Sequence, residues 1–267
     1  MAQQSAKPAP IRWLVFRDHD LLADAGSLEI FLPIDRVGPL IADATVHVMP
    51  WRNEALGVVR IPDTTEAPEG HDFIGLRHLL VQAPPAYFEA ASAALQILEW
   101  DRNHRYCSRC GTATEPHPQG ERARVCPACE YSQYPRIQPC VIVAISKGDH
   151  ILLARAQRYN RPMYSLLAGF VEVGETLEQA VAREVFEESG LAVDQLRYFG
   201  SQSWPFPSNL MLAFQAEWAG GDIVIQEEEL MDAQFFHYRQ LPQIPPSGSI
   251  AHQVIMATVN ELAARFG

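Results

Sequence analysis

The amino-acid sequence predicts an α/β fold whose C-terminal part is a three-layer α/β/α sandwich with a mixed sheet. Strand-like runs mix with two segments of helical spacing after residue 134, and shorter strand-like runs fill the first hundred residues. Strands and helices mixed in this way pack most readily as helices on the faces of a sheet. A cysteine-containing stretch separates the two parts. We therefore expect a small β-rich N-terminal domain at 1–103, a cysteine-containing domain at 104–135 and the sandwich at 136–267.

The first domain is predicted from four short runs, at residues 11–17, 28–32, 45–51 and 56–61. They are alternating or rich in β-branched residues, and Asp, Gly and Pro bound them, which is typical of short strands. Residues 86–104 have helical spacing. No motif in this domain indicates chemistry.

The sandwich is predicted from strands at 134–146 and 151–155, joined by a turn at 147–149, and from further strands at 212–218 and 223–225. A helix starts at about Thr176, a suitable N-cap with Gln179 three residues later. A closing helix covers 253–266. The sequence contains no internal repeat and no low-complexity tract.

Length and charge indicate a soluble globular protein. The chain has 267 residues, of which 48% are hydrophobic, so it can bury a sizeable core. Its 21 basic and 32 acidic side chains give a formal charge of −11, which argues against tight, sequence-independent binding to nucleic acid. Residues 1–10 are polar and Pro-rich, and no apolar run approaches the roughly 18 residues of a membrane span. We expect no membrane partner and a cytoplasmic location.

A cluster of glutamates between residues 169 and 191 carries the clearest chemical signal. At about 100° per residue, Glu184 and Glu188 lie one turn apart on one helix face, and Glu187 lies at its edge. An apolar row at 177, 181 and 185 almost overlaps this face, so the carboxylates lie beside the core. Partly buried carboxylates need a positive partner, and hard divalent cations prefer carboxylate oxygens. The alternative is a solvated acidic face paired with Arg183.

Two Cys-x-x-Cys pairs indicate a second metal site. Cys107 and Cys110 are separated by fifteen residues from Cys126 and Cys129, a spacing typical of a structural zinc site with four thiolates. We expect one zinc ion per chain. A pair of disulfides is the alternative, but a cytosolic chain keeps its thiols reduced. Cys140, in an apolar run, is expected to be an inert core residue.

Residues 201–211 form an unusual segment with two aromatic residues and two prolines. Proline fixes its own φ and restricts its neighbour, so we expect an extended and stiff segment. Its aromatic rings suit the flat faces of nucleobases. The alternative is a loop whose Trp204 and Phe206 cap a core.

Residues 169–191 resemble the Nudix box of Nudix hydrolases, and every fixed position of that motif is filled. Residues 201–211 resemble the motif that follows the box in NADH pyrophosphatases, with Ser203 in place of a proline and Asn209 in place of a serine. The four cysteines, residues 134–136 and residues 168–175 also match, so the resemblance covers roughly residues 105–255. It implies a Nudix α/β/α sandwich preceded by a zinc ribbon.

The resemblance also implies the metal-binding and catalytic residues. Glu184, Glu187 and Glu188 would be the carboxylates of a site for two or more Mg²⁺ or Mn²⁺ ions. Arg183 would pair with Glu175 and brace the loop. The Ala168 carbonyl, Glu184, Glu188 and Glu229 would hold the ions, which leaves Glu187 as a candidate base.

For the substrate, the resemblance implies stacking on Tyr134 and Phe170. The residues that would line the pocket are Gln202, Ser203, Trp204, Pro205, Phe206, Pro207, Ser208 and Asn209. The resemblance implies further substrate contacts at Glu121, Ala251 and Arg77. The departures at Ser203 and Asn209 leave the preference between reduced and oxidised dinucleotide open.

The implied reaction is metal-assisted hydrolysis of the pyrophosphate of NAD(H), giving AMP and nicotinamide mononucleotide. Removal of NAD caps from RNA 5′ ends and a homodimeric state are implied as well. Two alternatives are a broader dinucleotide or ADP-ribose pyrophosphatase and a non-catalytic, zinc-ribbon RNA-binding protein.

Overall fold

The computed structural model describes residues 11–157 and 162–267. The chain divides into two compact units, Met1–Arg136 and Ile137–Gly267, which we call the N-terminal unit and the C-terminal unit. None of the helices in the described residues is both long enough and apolar enough to cross a membrane.

The described part of the N-terminal unit contains a six-stranded mixed sheet with the strand order β4-β5-β1-β2-β6, in which β3 also pairs with β1. Its elements are β1 (Arg12–Arg17), β2 (Asp20–Asp24), β3 (Leu32–Pro33), α1 (Ile34–Ile41), β4 (His47–Trp51), β5 (Glu54–Ile61), β6 (His71–Gly75), α2 (Leu76–Gln82) and α3 (Pro85–Asn103). Strands β1 and β5 are parallel, and the other pairs are antiparallel. Apolar side chains of β1, β5 and α1, among them Val15, Val59 and Val37, pack into one core.

After α3 the chain forms a small antiparallel sheet of three two-residue strands, β7 (Glu115–Pro116), β8 (Arg124–Val125) and β9 (Ser132–Gln133). Such short strands cannot bury a core of their own. Two loops that carry the cysteine pairs are therefore expected to depend on a metal for their order.

The described part of the C-terminal unit contains a second six-stranded mixed sheet, with the order β13-β14-β10-β11-β15 and with β12 beside β10. Its elements are β10 (Gln138–Lys147), β11 (His150–Ala156), β12 (Leu167–Phe170), α4 (Leu177–Ser189), β13 (Ala192–Trp204), β14 (Asn209–Gly220), β15 (Leu230–His237) and α5 (Ile250–Phe266). Alternate β10 side chains point to opposite faces: Val143 packs with α4, whereas Ile142 and Ala144 pack with α5. This confirms the predicted three-layer α/β/α sandwich.

The two mixed sheets have the same connectivity. In each, the first strand (β1 or β10) forms a hairpin with the next, pairs in parallel with the fifth (β5 or β14) and receives a short antiparallel strand (β3 or β12). A helix follows the short strand in both units, and a long helix (α3 or α5) follows the last strand of each mixed sheet. The expectation of no internal repeat is therefore wrong for the topology, although the helices α1 and α4 differ completely in charge pattern.

Most predicted elements of the sequence are confirmed. The strands predicted at 11–17, 45–51, 56–61, 151–155 and 212–218 overlap β1, β4, β5, β11 and β14, and the three predicted helices overlap α3, α4 and α5. The strand predicted at 134–146 begins only at Gln138. The elements that were not predicted are β2, β6, β7, β8, β9, β12, β13, β15, α1 and α2. Helix α1 contains both Gly38 and Pro39, which ordinarily indicate a loop.

Two predicted strands are wrong for local reasons. At residues 28–32 the side chain of Asp24 accepts hydrogen bonds from the backbone N–H groups of Gly26 and Ser27, and Leu28 adopts a φ of +58°, so turn chemistry wins over strand propensity. At residues 223–225 the N–H of Val224 donates to the carbonyl of Ser189 at 2.9 Å. That segment therefore caps the C-terminal end of α4 and joins no sheet.

Candidate active site and zinc centre

Helix α4 is held at both ends by its own sequence. Thr176 and Gln179 form a capping box, as predicted, in which the Thr176 side chain accepts from the N–H of Gln179 at 3.2 Å and the Gln179 side chain accepts from the N–H of Thr176 at 2.8 Å. Gly190 ends the helix with a φ of +70°, a conformation that favours glycine. These two ends fix which helix positions face the sheet.

The carboxylates of α4 differ in their exposure. Val181 and Val185 are fully buried, and Glu188, on the adjoining face, is only 5% exposed. The side chain of Glu184 is 15% exposed, whereas that of Glu187 is 52% exposed. Two acids are thus withdrawn from water beside the core, and a third remains open to solvent.

Arg183 connects the loop, the helix and the short strand β12. Its Nε and Nη2 donate to the two carboxylate oxygens of Glu175 at 2.6 and 2.8 Å, and its Nη1 donates to Glu184 at 2.8 Å and to Glu187 at 3.0 Å. Its Nη2 also donates to the carbonyl of Phe170 at 2.8 Å. These five bonds match the five N–H donors of a guanidinium group. The expected Arg183–Glu175 ion pair is therefore present.

Gly169 explains how the Glu184 carboxylate fits against β12. A Cβ at residue 169 would lie 1.9 Å from Cδ and 2.0 and 2.1 Å from the two carboxylate oxygens of Glu184. Only glycine leaves this space, and Ala168 lies next to it on the same strand, paired with Ile142 of β10. Gly169 was predicted only as a position of the motif. Its contact with the Glu184 carboxylate could not be predicted, because the two residues are fifteen positions apart in the sequence.

The electrostatics of this cluster favour a cation. Burial raises the pKa of Glu184, the contact with Arg183 opposes the rise, and the negative charges of Glu187 and Glu229 add to it. Glu229 immediately precedes β15, and its N–H donates to the carbonyl of Gln226 at 3.0 Å. In contrast, hydrogen bonds from Arg183 and from the Glu172 backbone hold the pKa of Glu175 at about 2. One arginine faces three carboxylates here, so the cluster keeps a net negative charge, which suits hard divalent ions.

The aromatic segment at 201–211 forms the tip of the β13–β14 hairpin, where Gln202 pairs with Met211 and Trp204 with Asn209. The prediction of one extended segment is therefore wrong at residues 205–208, which form the turn. The rings of Trp204 and Phe206 meet edge to face, with centroids 5.4 Å apart.

Gln202 ties this hairpin to the start of α5. Its side chain donates to the carbonyl of Gly248 at 2.9 Å and accepts from the N–H of Ile250 at 2.8 Å. Ala251, the next residue of α5, is 7% exposed. Gln202 and Ala251 are both substrate-binding residues by the resemblance, and Gln202 contacts the residue that precedes Ala251.

Asn209, at the hairpin tip, has a buried side-chain oxygen without a hydrogen-bond partner among the described residues. It is 8% exposed, and its Nδ2 donates to the carbonyl of Phe206 at 3.4 Å. Its Oδ1 is buried and has no hydrogen-bond partner among the described residues. Ser203 pairs with Leu210 across the hairpin, and the hydroxyl of Ser208 lies 3.4 Å from the Gln138 side chain. Pro205 is buried and Pro207 is exposed.

Three of the residues that the resemblance implies for substrate binding, Tyr134, Glu121 and Arg77, belong to the N-terminal unit. The hydroxyl of Tyr134, which is 54% exposed, donates to the carboxylate of Glu121 at 3.0 Å. Arg77 is exposed on α2. Phe170, the other expected stacking residue, belongs to the C-terminal unit and is 52% exposed at the end of β12.

The four cysteines form two equivalent loops. In the first, Cys107 N–H donates to Thr112 and its carbonyl accepts from Gly111; in the second, Cys126 makes the same bonds with Tyr131 and Glu130. The four sulfur atoms all lie within 4.8 Å of one another, with Cys107–Cys129 at 3.7 Å and Cys110–Cys126 at 3.4 Å. Zinc–sulfur bonds of about 2.3 Å in a tetrahedron require sulfurs about 3.8 Å apart, so the cluster fits zinc. All five cysteines are free, and Cys140 is buried on β10.

Comparison with known proteins agrees with this architecture. Three family models match: the NUDIX domain at residues 136–258, the NADH pyrophosphatase zinc ribbon domain at 102–134, and the NADH pyrophosphatase-like rudimentary NUDIX domain at 10–100. Among solved structures, a Nudix hydrolase from Nitrosomonas europaea matches 59% of this chain and 91% of its own, with 26% identity and a TM-score of 0.51. The fold of the C-terminal unit is therefore that of the Nudix hydrolases.

Curated relatives extend over nearly the whole chain. The NAD-capped RNA hydrolase NudC of Klebsiella pneumoniae (strain 342) is 41% identical over 258 residues, which is 95% of each chain. NudC of Escherichia coli (strain K12 / DH10B) is 42% identical over 227 residues, or 85% of each chain. NudC of Edwardsiella ictaluri is 49% identical over 184 residues, or 67% of this chain and 70% of that protein. The chain therefore belongs to the NudC family of Nudix hydrolases.

We expect the purified chain to hold one zinc ion and Cys126→Ser to lose it, because three thiolates cannot close the tetrahedral site. Elemental analysis of folded, gel-filtered protein measures the zinc content. Cys140→Ser is the matched control, since Cys140 lies outside the cluster. Full zinc content in Cys126→Ser, or equal loss in both variants, would contradict the assignment.

We expect Gly169→Ala to displace the Glu184 carboxylate without unfolding the chain, because the end of a glutamate side chain can rotate away from the new Cβ. A misplaced carboxylate should weaken Mn²⁺ binding and lower turnover by roughly 10²-fold. Calorimetric Mn²⁺ titration and thermal unfolding separate the two effects.

The control for this variant is Gly200→Ala, whose Cβ would make an ordinary contact at 3.8 Å with Ile250. Unchanged Mn²⁺ affinity and turnover in Gly169→Ala would refute the role given to Gly169. Equal losses in both variants would have the same meaning.

Proposed function

We propose that this chain hydrolyses the pyrophosphate bond of NAD(H) to AMP and nicotinamide mononucleotide, and that it removes NAD caps from RNA 5′ ends. Its relatives are named NAD-capped RNA hydrolases, and they match this chain at 41–49% identity. The zinc ribbon matches the model described for NADH pyrophosphatases. Both units of the chain are covered by these matches.

The observation that carries the proposal is the pair of withdrawn carboxylates, Glu184 and Glu188, beside the glycine strand β12. We assign Glu184, Glu188, Glu229 and the carbonyl of Ala168 to more than one Mg²⁺ or Mn²⁺ ion. When bound, such ions neutralise phosphate charge and lower the pKa of an attacking water. Without cations, two ionised phosphates would face a set of carboxylates, and binding would be unfavourable.

The chain's own residues position this chemistry. Arg183 holds Glu175, Glu184 and Glu187 in one network, so the carboxylates keep their spacing when substrate enters. We assign the proton of the attacking water to Glu187, which is the exposed member of the cluster. The water oxygen forms the new bond to phosphorus, the bridging P–O bond breaks, and AMP and nicotinamide mononucleotide leave.

For the substrate we assign stacking to Phe170 and Tyr134, both of which present exposed rings. The hairpin tip from Gln202 to Asn209, with Ala251, would line the pocket. The unpaired Oδ1 of Asn209 is suited to accept a hydrogen bond from an amide or hydroxyl group of the substrate. Glu121 and Arg77 are proposed as further contacts.

We further propose the domain division 1–103, 104–135 and 136–267, a cytoplasmic location and a homodimer. Sedimentation analysis tests the last of these. We expect a species of about twice the 29.8 kDa chain mass at micromolar concentration, and a monomer would contradict the proposal.

The reaction is tested by chromatography of products from NADH, NAD⁺, ADP-ribose and NAD-capped RNA, each with Mg²⁺ or Mn²⁺. We expect AMP and nicotinamide mononucleotide from NADH and NAD⁺, and RNA with a 5′-monophosphate from the capped RNA. Glu188→Gln should lower turnover by orders of magnitude while the fold is kept, because a neutral amide holds cations poorly. Faster cleavage of ADP-ribose than of NADH would favour the broader pyrophosphatase.

Glu178→Gln is the control, since Glu178 is an exposed glutamate in the first turn of the same helix. Near-normal activity in Glu188→Gln would refute the site assignment. RNA binding with no cleavage of any compound by folded, zinc-containing protein would favour the RNA-binding alternative.

A further inference from the structure

The N-terminal unit contains a cavity at the position that corresponds, by connectivity, to the proposed substrate pocket. In the C-terminal unit the proposed pocket residues lie at the β13–β14 hairpin, at the end of β12 and in the first turn of α5. The cavity in the N-terminal unit, which we call the N-terminal cleft, is lined by the β4–β5 hairpin, by the segment before β3 and by the first turn of α3. Two of the three lining elements, the hairpin and the first turn of the long helix, therefore correspond in the two units.

The lining of the N-terminal cleft is aromatic and charged. It includes Arg12, Phe31, Trp51, Arg52, Glu54 and Tyr87. The rings of Phe31 and Tyr87 meet edge to face at 5.1 Å, and the Arg12 guanidinium lies 5.0 Å from the centre of the Phe31 ring. Phe31 is only 7% exposed, so the half-buried rings of Trp51 and Tyr87 are the ones on which a nucleobase can stack.

The carboxylates near the cleft already have partners. Glu54 accepts from Nε of Arg12 at 2.9 Å, and Glu29 accepts from the Tyr87 hydroxyl at 2.8 Å and from the N–H of Phe31 at 2.8 Å. Arg12 therefore neutralises Glu54, whereas the partners of Glu29 are uncharged donors. Of the two arginines that line the cleft, Arg52 is the one that is not paired with Glu54.

Arg52 is the group best suited to meet an anion. It is exposed at the two-residue turn of the β4–β5 hairpin, and its guanidinium lies 5.8 Å from the centre of the Trp51 ring. Among the described residues it forms no ion pair with a carboxylate. A guanidinium beside an indole face can meet a phosphate while the ring meets its base.

The size of the cleft restricts the ligand. Its volume is about 160 Å³, well below the roughly 300 Å³ at which pockets for larger ligands begin. A base with its sugar and one phosphate can insert the base and leave the phosphate at the rim. A dinucleotide would be mostly outside.

Helix α1 does not carry the glutamates that α4 presents. Helix α1, which follows β3 as α4 follows β12, carries Asp35 as its one acidic residue and no glutamate. A nucleotide bound here would not meet a cluster of carboxylates on this helix.

We propose that the N-terminal cleft is a second, non-hydrolytic site that binds a single nucleotide, with the base on the aromatic wall and the phosphate at Arg52. The comparison of this cleft with the substrate pocket rests on the proposed function of the C-terminal unit. The contacts within the N-terminal cleft do not depend on that function. The same chemistry is offered by a free nucleoside monophosphate and by a nucleotide of single-stranded RNA.

The test is photolabelling of full-length, zinc-containing protein with 8-azido-AMP, without Mg²⁺ or Mn²⁺, followed by peptide mapping. We expect labelled peptides that contain residues 51–54 or 86–87, in addition to any labelling in the C-terminal unit. Arg52→Asn should reduce labelling of the N-terminal peptides about tenfold, because a charge-assisted phosphate contact is lost. Asparagine tolerates the φ of +53° found at this position, so the turn should be kept.

The matched control is Arg36→Ala, since Arg36 is an exposed arginine of the same unit outside the cleft, paired with Asp24 at 3.3 Å. Its labelling pattern should equal that of the unchanged chain. Labelling confined to the C-terminal unit, or N-terminal labelling that is equal in Arg52→Asn, would overturn the proposal.

Two further arms complete the experiment. Competition by AMP and by a short single-stranded RNA with a 5′-monophosphate distinguishes the two sources of the nucleotide, and failure of both to compete would also overturn the proposal. NADH hydrolysis by Arg52→Asn should be unchanged. If the unsubstituted protein does not hydrolyse NADH, that result would count against the proposed function and not against the N-terminal site.

Discussion

The arrangement of the C-terminal site depends on one guanidinium group. Arg183 uses its five N–H donors on the loop at Glu175, on two helix carboxylates and on the carbonyl of Phe170. It therefore fixes the distance between β12 and α4, which in turn decides where the Glu184 carboxylate meets Gly169. A lysine could supply the charge but not five directed donors. Because the pKa of Glu175 is held at about 2, this brace stays ionised at every pH at which the carboxylates could serve as ligands.

The sequence predicted several local features because their parts are close along the chain. The capping box at Thr176, the carboxylate face of α4 and the two cysteine loops all lie within short windows, where helical periodicity or fixed spacing determines the geometry. The strands were harder. Their existence at β1 and β5 followed from short runs that contain β-branched residues, but β13 mixes exposed and half-buried positions over thirteen residues and gave no comparable apolar signal.

Other features could not be predicted from sequence because they arise between distant residues. The buried Oδ1 of Asn209 and the two contacts of Gln202 with the segment before α5 depend on how a hairpin meets a helix more than forty residues away. The segment at 223–225 has strand propensity, yet the N–H of Val224 donates to the carbonyl of Ser189 at the end of α4. That carbonyl has no partner within the helix. Local propensity is a weak guide wherever a backbone group elsewhere requires a donor.

The two mixed sheets share one topology but differ in the side chains that their helices carry. Both units keep the parallel pair of strands, the short antiparallel strand and the helix after it, and those features need only apolar residues of suitable size. The glutamates of α4 are not required for this packing, because Val181 and Val185 make its core contacts. A copy of the fold that carries no reaction is therefore free to lose them, as α1 has. What such a copy retains is decided by the shape of its hairpin and helix ends, which is why an aromatic cleft persists in the N-terminal unit without a cluster of acids on α1.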